Sequence, residues 1–204
     1  GIKNGEFKVF YQPKVSSKEK FLGAEALVRW IKDDKIIPPS EFIEFAEEEG
    51  LIKYIGEAVI IEVCKKVAEW IKNGYKDFRI AINLSAEQLI EEELCDKALS
   101  IIKDFNIPSE YIEFEVTEST IIKDFDIAIK SIKKIKSYGI KVSLDDFGTG
   151  YSSLNYLKQL EVDSVKIDKS FIDTLGFDDG TNVMVNTIMK MCHYFGYEVV
   201  AEGV

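Results

Sequence analysis

Lys141-Val142-Ser143-Leu144-Asp145-Asp146-Phe147-Gly148-Thr149-Gly150 begins as an alternating apolar run and ends in two adjacent carboxylates followed by two glycines. Adjacent acids repel each other, and at the mouth of a strand a strong cation between them relieves that repulsion. Hard oxygen donors of this kind suit Mg²⁺ or Mn²⁺. Taken alone, the pair is equally well explained as a solvated turn. Acids or amides recur at the same place in other strand-like runs, however: Glu25 after residues 21–24, Asn83 after residues 78–82, Glu115 within residues 111–118, and Glu202 after residues 198–201. Several strands thus aim oxygen ligands at one point.

The 204 residues, 46% hydrophobic and 30% charged, fit one soluble globular domain with a single large core. No apolar run approaches the ~20 residues a membrane helix requires, and no charged, apolar and small-residue succession in these residues resembles a secretory signal. A formal net charge of -10 argues against DNA or RNA as a bulk partner, while leaving open a small phosphorylated ligand held by local cations and metal. Cys64, Cys95 and Cys192 are odd in number and lack metal or disulfide spacing, so they read as reduced, buried thiols of a cytoplasmic domain.

Outward from the acidic stretch, strand-like and helical segments alternate. Residues 7–15 and 21–30 suggest a hairpin, and helical spacing follows over 39–49 and 52–72, stopped by Asn73-Gly74. A strand over 78–84 leads to Ser85, a capping residue for the next helix. Strands over 111–117, 141–144, 164–167 and 198–201 then alternate with helices over 124–138, 152–160 and 181–195. This order predicts a parallel sheet, and ligands on many strand C-termini favour a (β/α) barrel over a doubly wound open sheet, which gathers its site at one switch point. Seven strands are expected where such a barrel takes eight. The chain starts at Gly1 and ends two residues after Glu202, so a closing C-terminal segment, and an N-terminal helix, are expected to be missing from a truncated chain.

Six motifs carry a family resemblance: Glu25-Ala26-Leu27 with Val28-Arg29-Trp30, Asn83-Leu84-Ser85, Glu115-Val116-Thr117-Glu118, Asp145 through Leu154, Lys166-Ile167-Asp168, and Ala201-Glu202-Gly203-Val204. In this order, over essentially the whole chain, they resemble the EAL domain, a cyclic di-GMP phosphodiesterase. The resemblance implies a modified (β/α)8 TIM-type barrel with an antiparallel first strand. It matches Glu25, Asn83, Glu115 and Asp145 to the ligands of one divalent cation, and Asp145, Asp146 and Glu202 to those of a second, with Asp145 bridging. Such ions sit ~3.5–4 Å apart and activate a shared water.

By the same resemblance Lys166 orients the nucleophilic water, Glu118 holds the loop over residues 147–153, Arg29 clamps phosphate, and Gln12 and Leu27 line the dinucleotide site. Asp168 either acts in the site or caps the following turn. The loop after Asp146, with its helix, is implied in a homodimer interface, and fused sensory or diguanylate cyclase domains are implied partners. Ca²⁺ is expected to inhibit, because its looser coordination disturbs the metal spacing.

Ordinary structural roles stand beside these. Asn83 before a capped helix suits turn chemistry, Lys166 a solvated strand end, and Arg29-Trp30 a packed pair. His193 suits the C-terminal dipole of its helix. The acidic runs 44–49 and 91–93 suit solvated helix faces. Three functions follow: a metal-dependent hydrolase giving linear pGpG, a catalytically inactive cyclic di-GMP receptor, and a regulatory barrel that binds no nucleotide.

Overall fold

In most strands of this protein apolar residues alternate with polar or charged ones, and that alternation sorts the sheet into an apolar outer face and a polar inner face. β5 (Ile112–Thr117) shows it best: Ile112, Phe114 and Val116 are fully buried in the main apolar core, while Glu113 and Glu115 point the other way. The computed structural model describes residues 1–148 and 154–203.

The chain opens with β1 (Phe7–Val15) and β2 (Phe21–Lys32), paired antiparallel. A short β3 (Lys35–Ile37), which sequence periodicity does not predict, folds back on β2. Helices α1 (Ile43–Glu48) and α2 (Ile52–Lys72) precede β4 (Arg79–Asn83). Next come α3 (Ala86–Ile90), α4 (Glu92–Asp104), β5, α5 (Glu118–Lys123) and α6 (Phe125–Ser137). β6 (Lys141–Phe147), α7 (Leu154–Gln159), β7 (Ser164–Ile167), α8 (Lys169–Asp173), α9 (Asp179–Phe195) and β8 (Glu198–Ala201) complete the order.

The strands lie β1-β2-β4-β5-β6-β7-β8, antiparallel between β1 and β2 and parallel from β2 onward. Among the described residues β8 does not pair with β1, so the sheet is a half-barrel clothed in helices. Its curl is visible in the side chains. β2 and β7 are four strand spacings apart, about 19 Å in a flat sheet, yet Lys166 on β7 reaches Glu25 on β2 at 3.1 Å. A flat doubly wound sheet cannot make that contact.

Local chemistry places the helix ends. Ser85 and Gln88 form a reciprocal capping box at α3. Asp124 caps α6 through the Ile127 N–H, and Gly196 ends α9 in the left-handed conformation. His193 lies in the last turn of α9, as its sequence position implied. Two short helices, α5 and α8, were not anticipated, each starting directly at a strand end. One boundary is corrected: β6 runs through both aspartates to Phe147, which is buried in the core rather than part of the following loop. Residues 149–153, to which the rest of that loop was assigned, lie outside the described residues. The three cysteines are free and buried. Among the described residues no helix is long and apolar enough to cross a membrane.

Candidate functional site: a carboxylate cluster around a buried lysine

The inner face of the sheet places one ammonium among four carboxylates. Lys166 Nζ donates to Glu25 Oε2 at 3.1 Å, Glu115 Oε2 at 3.0 Å and Asp145 Oδ2 at 3.0 Å. It also pairs with Glu202 Oε1 at 2.7 Å. Lys166 is 2% exposed, which excludes the solvated strand-end alternative. Burial alone would lower its pKa, but Glu115, Asp145 and Glu25 together with the Glu202 hydrogen bond push it up, so it is a fixed cation.

Each acid responds to the same field in its own way. Burial works to raise the Glu25 carboxyl, yet Lys166 and the hydrogen bond from Asn83 outweigh it and hold the group below the usual range. Asn83 Nδ2 donates to Glu25 Oε1 at 2.9 Å, so this amide faces the site instead of closing a local turn. Glu115 is 1% exposed. Desolvation there exceeds the help of Lys14 and Lys166, and its pKa rises to about 7.

Asp145 and Asp146 pose a geometric problem, because neighbours on a regular strand point to opposite faces. The register between β6 and β7 shifts between Leu144 and Phe147, so β6 carries one residue more than its partner there. Asp146 takes a left-handed φ of 54°, which aspartate tolerates better than most residues. The bulge re-aims its carboxylate, and oxygens of Asp145, Asp146 and Glu202 come within 4.8 Å of one another. Oxygens of Glu25, Glu115 and Asp145 form a second such group. Asp145 belongs to both. Asp146 is pushed up to about 6, by desolvation first and then by the charges of Asp145 and Glu202.

These donors are hard oxygens with a surplus of negative charge, which fits divalent cations of the Mg²⁺ or Mn²⁺ kind. The other anticipated residues lie around this centre. Glu118, at the start of α5, accepts the Gly148 N–H at 3.2 Å through Oε2, while its Oε1 is buried with no hydrogen-bond partner among the described residues. Gly148 has a φ of 101°, a conformation that glycine alone adopts freely. Gln12 pairs in register with Glu25, and Leu27 and Arg29 continue the same side of β2. Arg29 Nη1 donates to the Val28 carbonyl at 2.8 Å and its guanidinium lies 5.9 Å from the Phe10 ring centre. Among the described residues it forms no ion pair with Glu25, Glu115, Asp145 or Glu202. Asp168 is the N-cap of α8, accepting from Ser170 N at 3.0 Å and from the Ser170 hydroxyl. These bonds lower its pKa and support the turn-capping role.

Sequence reasoning overlooked Lys14. Its Nζ lies 2.6 Å from Glu115 Oε1 and 3.3 Å from Glu113 Oε1. The available signal was its position two residues after Gln12, on the same face of β1.

A curled β/α sheet with oxygen donors converging at the C-terminal ends of its parallel strands defines a β/α barrel-type domain whose acidic groups could hold metal ions. The sequence matches the EAL domain family over residues 1–204, and the chain belongs to that family. The signaling protein YkoW of Bacillus subtilis is 40% identical over 205 residues, spanning 100% of this chain and 26% of that protein. MucR of Pseudomonas aeruginosa, a bifunctional diguanylate cyclase/cyclic di-GMP phosphodiesterase, is 37% identical over 205 residues, spanning 100% and 30%. The chain thus covers between a quarter and a third of these relatives. The solved structure of the PaMucR phosphodiesterase in complex with c-di-GMP superposes with a TM-score of 0.94 at 36% identity, covering 100% of this chain and 83% of that one.

Proposed function

We propose that this domain hydrolyses cyclic di-GMP to linear pGpG, using Mg²⁺ or Mn²⁺. The observation that carries the proposal is the pair of acidic groups sharing Asp145, with the Lys166 ammonium in contact with both. Relatives named as phosphodiesterases support the substrate. Glu25, Asn83, Glu115 and Asp145 would hold one cation, and Asp145, Asp146 and Glu202 the other. Bound there, the cations supply a water of lowered pKa and stabilise charge developing on the phosphoryl oxygens.

The chain's own residues do the rest. Lys166 fixes the directions of four carboxylates and presents a permanent positive charge to the attacking water and the phosphate. The water oxygen bonds to phosphorus in line, the bond from phosphorus to the 3′ oxygen breaks, and that oxygen takes a proton as the 3′ hydroxyl. One linkage opens, leaving a 5′-phosphate. Glu118 ties the backbone at Gly148 and so steadies the segment that follows Asp146. Arg29, Gln12 and Leu27 extend from Glu25 along one side of the hairpin, where a guanidinium can grip the non-scissile phosphate. Asp168 supports the site by capping α8. Homodimerisation through the 146–153 loop and the helix after it, fusion to sensory or cyclase domains and a cytoplasmic location belong to the same proposal.

The test follows pGpG formation with Mg²⁺ or Mn²⁺, beside Glu25→Ala and Lys166→Ala, with calorimetric binding of cyclic di-GMP as a control. Metal-dependent turnover that both substitutions abolish is expected, as is suppression by Ca²⁺. Binding without turnover would replace the hydrolase with a receptor.

A further inference from the structure

The geometry points to Lys14 as a positioning residue that sets which oxygen of Glu115 faces the metal site, an inference that rests on the two-cation reading above. Glu115 is held from two sides: Oε1 accepts from Lys14 Nζ at 2.6 Å, and Oε2 accepts from Lys166 Nζ at 3.0 Å. Oε2 therefore shares its ammonium with Glu25 Oε2 and Asp145 Oδ2. No other cation among the described residues bonds Oε1. Lys14 stands on β1, which runs antiparallel to β2, and crosses the lumen to reach β5. That crossing is possible because the sheet curls: β1 and β5 are three strand spacings apart, about 14 Å if flat.

The neighbouring acid isolates the role of Lys14. Glu113 also meets Lys14, at 3.3 Å, but it has a second cation, Arg79, whose Nη1 lies 3.3 Å from Oε2. Loss of Lys14 leaves Glu113 paired through Arg79, whereas Glu115 is left with a buried oxygen and no partner on that side. The carboxylate then gains a rotation that turns Oε2 out of line with Glu25 and Asp145. Removing such an outer hydrogen-bond partner of a metal ligand costs about 10- to 100-fold in metal affinity.

The experiment titrates Mn²⁺ into the protein and into Lys14→Met, Lys14→Arg and Arg79→Met, measuring the dissociation constant by calorimetry and fold integrity by thermal melting. The parent and Arg79→Met should bind alike, Lys14→Met about 10- to 100-fold more weakly, and Lys14→Arg close to the parent. Parent-like affinity in Lys14→Met overturns the inference and leaves the metal reading intact. So does a loss of the same size in Lys14→Arg and Arg79→Met, which would mark a general charge effect. Should Lys14→Met fail to fold, Lys14→Ala is titrated in its place against the same two references, with the same loss expected and parent-like affinity overturning the inference. A parent that binds no Mn²⁺ overturns the two-cation reading and the inference with it.

Discussion

Lys166 on β7 and Glu202, one residue beyond β8, meet at 2.7 Å, and the same ammonium touches Glu25, Glu115 and Asp145. Without a divalent cation this lysine is the main charge holding four acids together. Lys166→Met should therefore destabilise the metal-free protein by about 3–5 kcal/mol, the usual result of removing one partner from a buried ion pair. A divalent cation should recover more stability in the variant than in the parent, while pGpG formation is lost. Equal metal-induced shifts in melting temperature for the two proteins would sink this account.

Gly23 lies where β2 passes β4. A Cβ built there would stand 1.9 Å from the Arg79 carbonyl oxygen, a backbone atom that cannot swing aside. Gly23→Ala must force the two strands apart two residues before Glu25, and overpacking of this kind costs about 1–3 kcal/mol or more. The expected outcome in urea is a lower unfolding midpoint with an unchanged slope, accompanied by weaker Mn²⁺ binding. Gly180→Ala serves as the reference, since its backbone is not left-handed and its added carbon comes no nearer than 3.4 Å to Asp178, an ordinary contact.

Much of this was legible in sequence because alternation is a strong signal. Ile112-Glu113-Phe114-Glu115 can satisfy its apolar residues only by facing them to helices, which leaves the acids inside. The cap at Ser85 and the glycine stop at Gly196 followed from local chemistry alone, while the return bond from Gln88 that completes a capping box did not. What escaped depends on tertiary geometry. The three-residue β3 carries too short a pattern to register, and α5 and α8 are single turns or little more that start at strand ends. The bulge that turns Asp146 beside Asp145 is set by pairing with β7, which no local pattern encodes. Lys14 was missed because its partners, Glu113 and Glu115, lie 99 and 101 residues away across the lumen.

Protonation opposes metal binding at this site. The Glu115 pKa of about 7 and the Asp146 pKa of about 6 both lie above their unfolded values. The folded, metal-free site therefore holds protons that the unfolded chain has released between roughly pH 4 and 7, so these two groups favour the fold at the acid end and lose that contribution as pH rises. Divalent cations need the deprotonated forms and must displace those protons. The Mn²⁺-induced rise in melting temperature should grow from pH 5.5 to pH 7.5 and level off above. A rise that is constant across this range would contradict the assignment of Glu115 and Asp146 as ligands.

Asp146 combines a charge with an unusual backbone, and two substitutions separate them. Asparagine tolerates a left-handed φ at least as well as aspartate, so Asp146→Asn should keep the bulge and the fold but lose the carboxylate that completes the group with Asp145 and Glu202. Calorimetry should then count one Mn²⁺ per chain instead of two, with turnover abolished. Asp146→Val removes the same charge and also places a β-branched residue at φ 54°, adding a strain of about 1–3 kcal/mol. The valine variant should melt below the asparagine variant while sharing its stoichiometry of one. If both bind two ions, Asp146 is not a ligand, and if both melt alike, the bulge does not depend on the residue that occupies it.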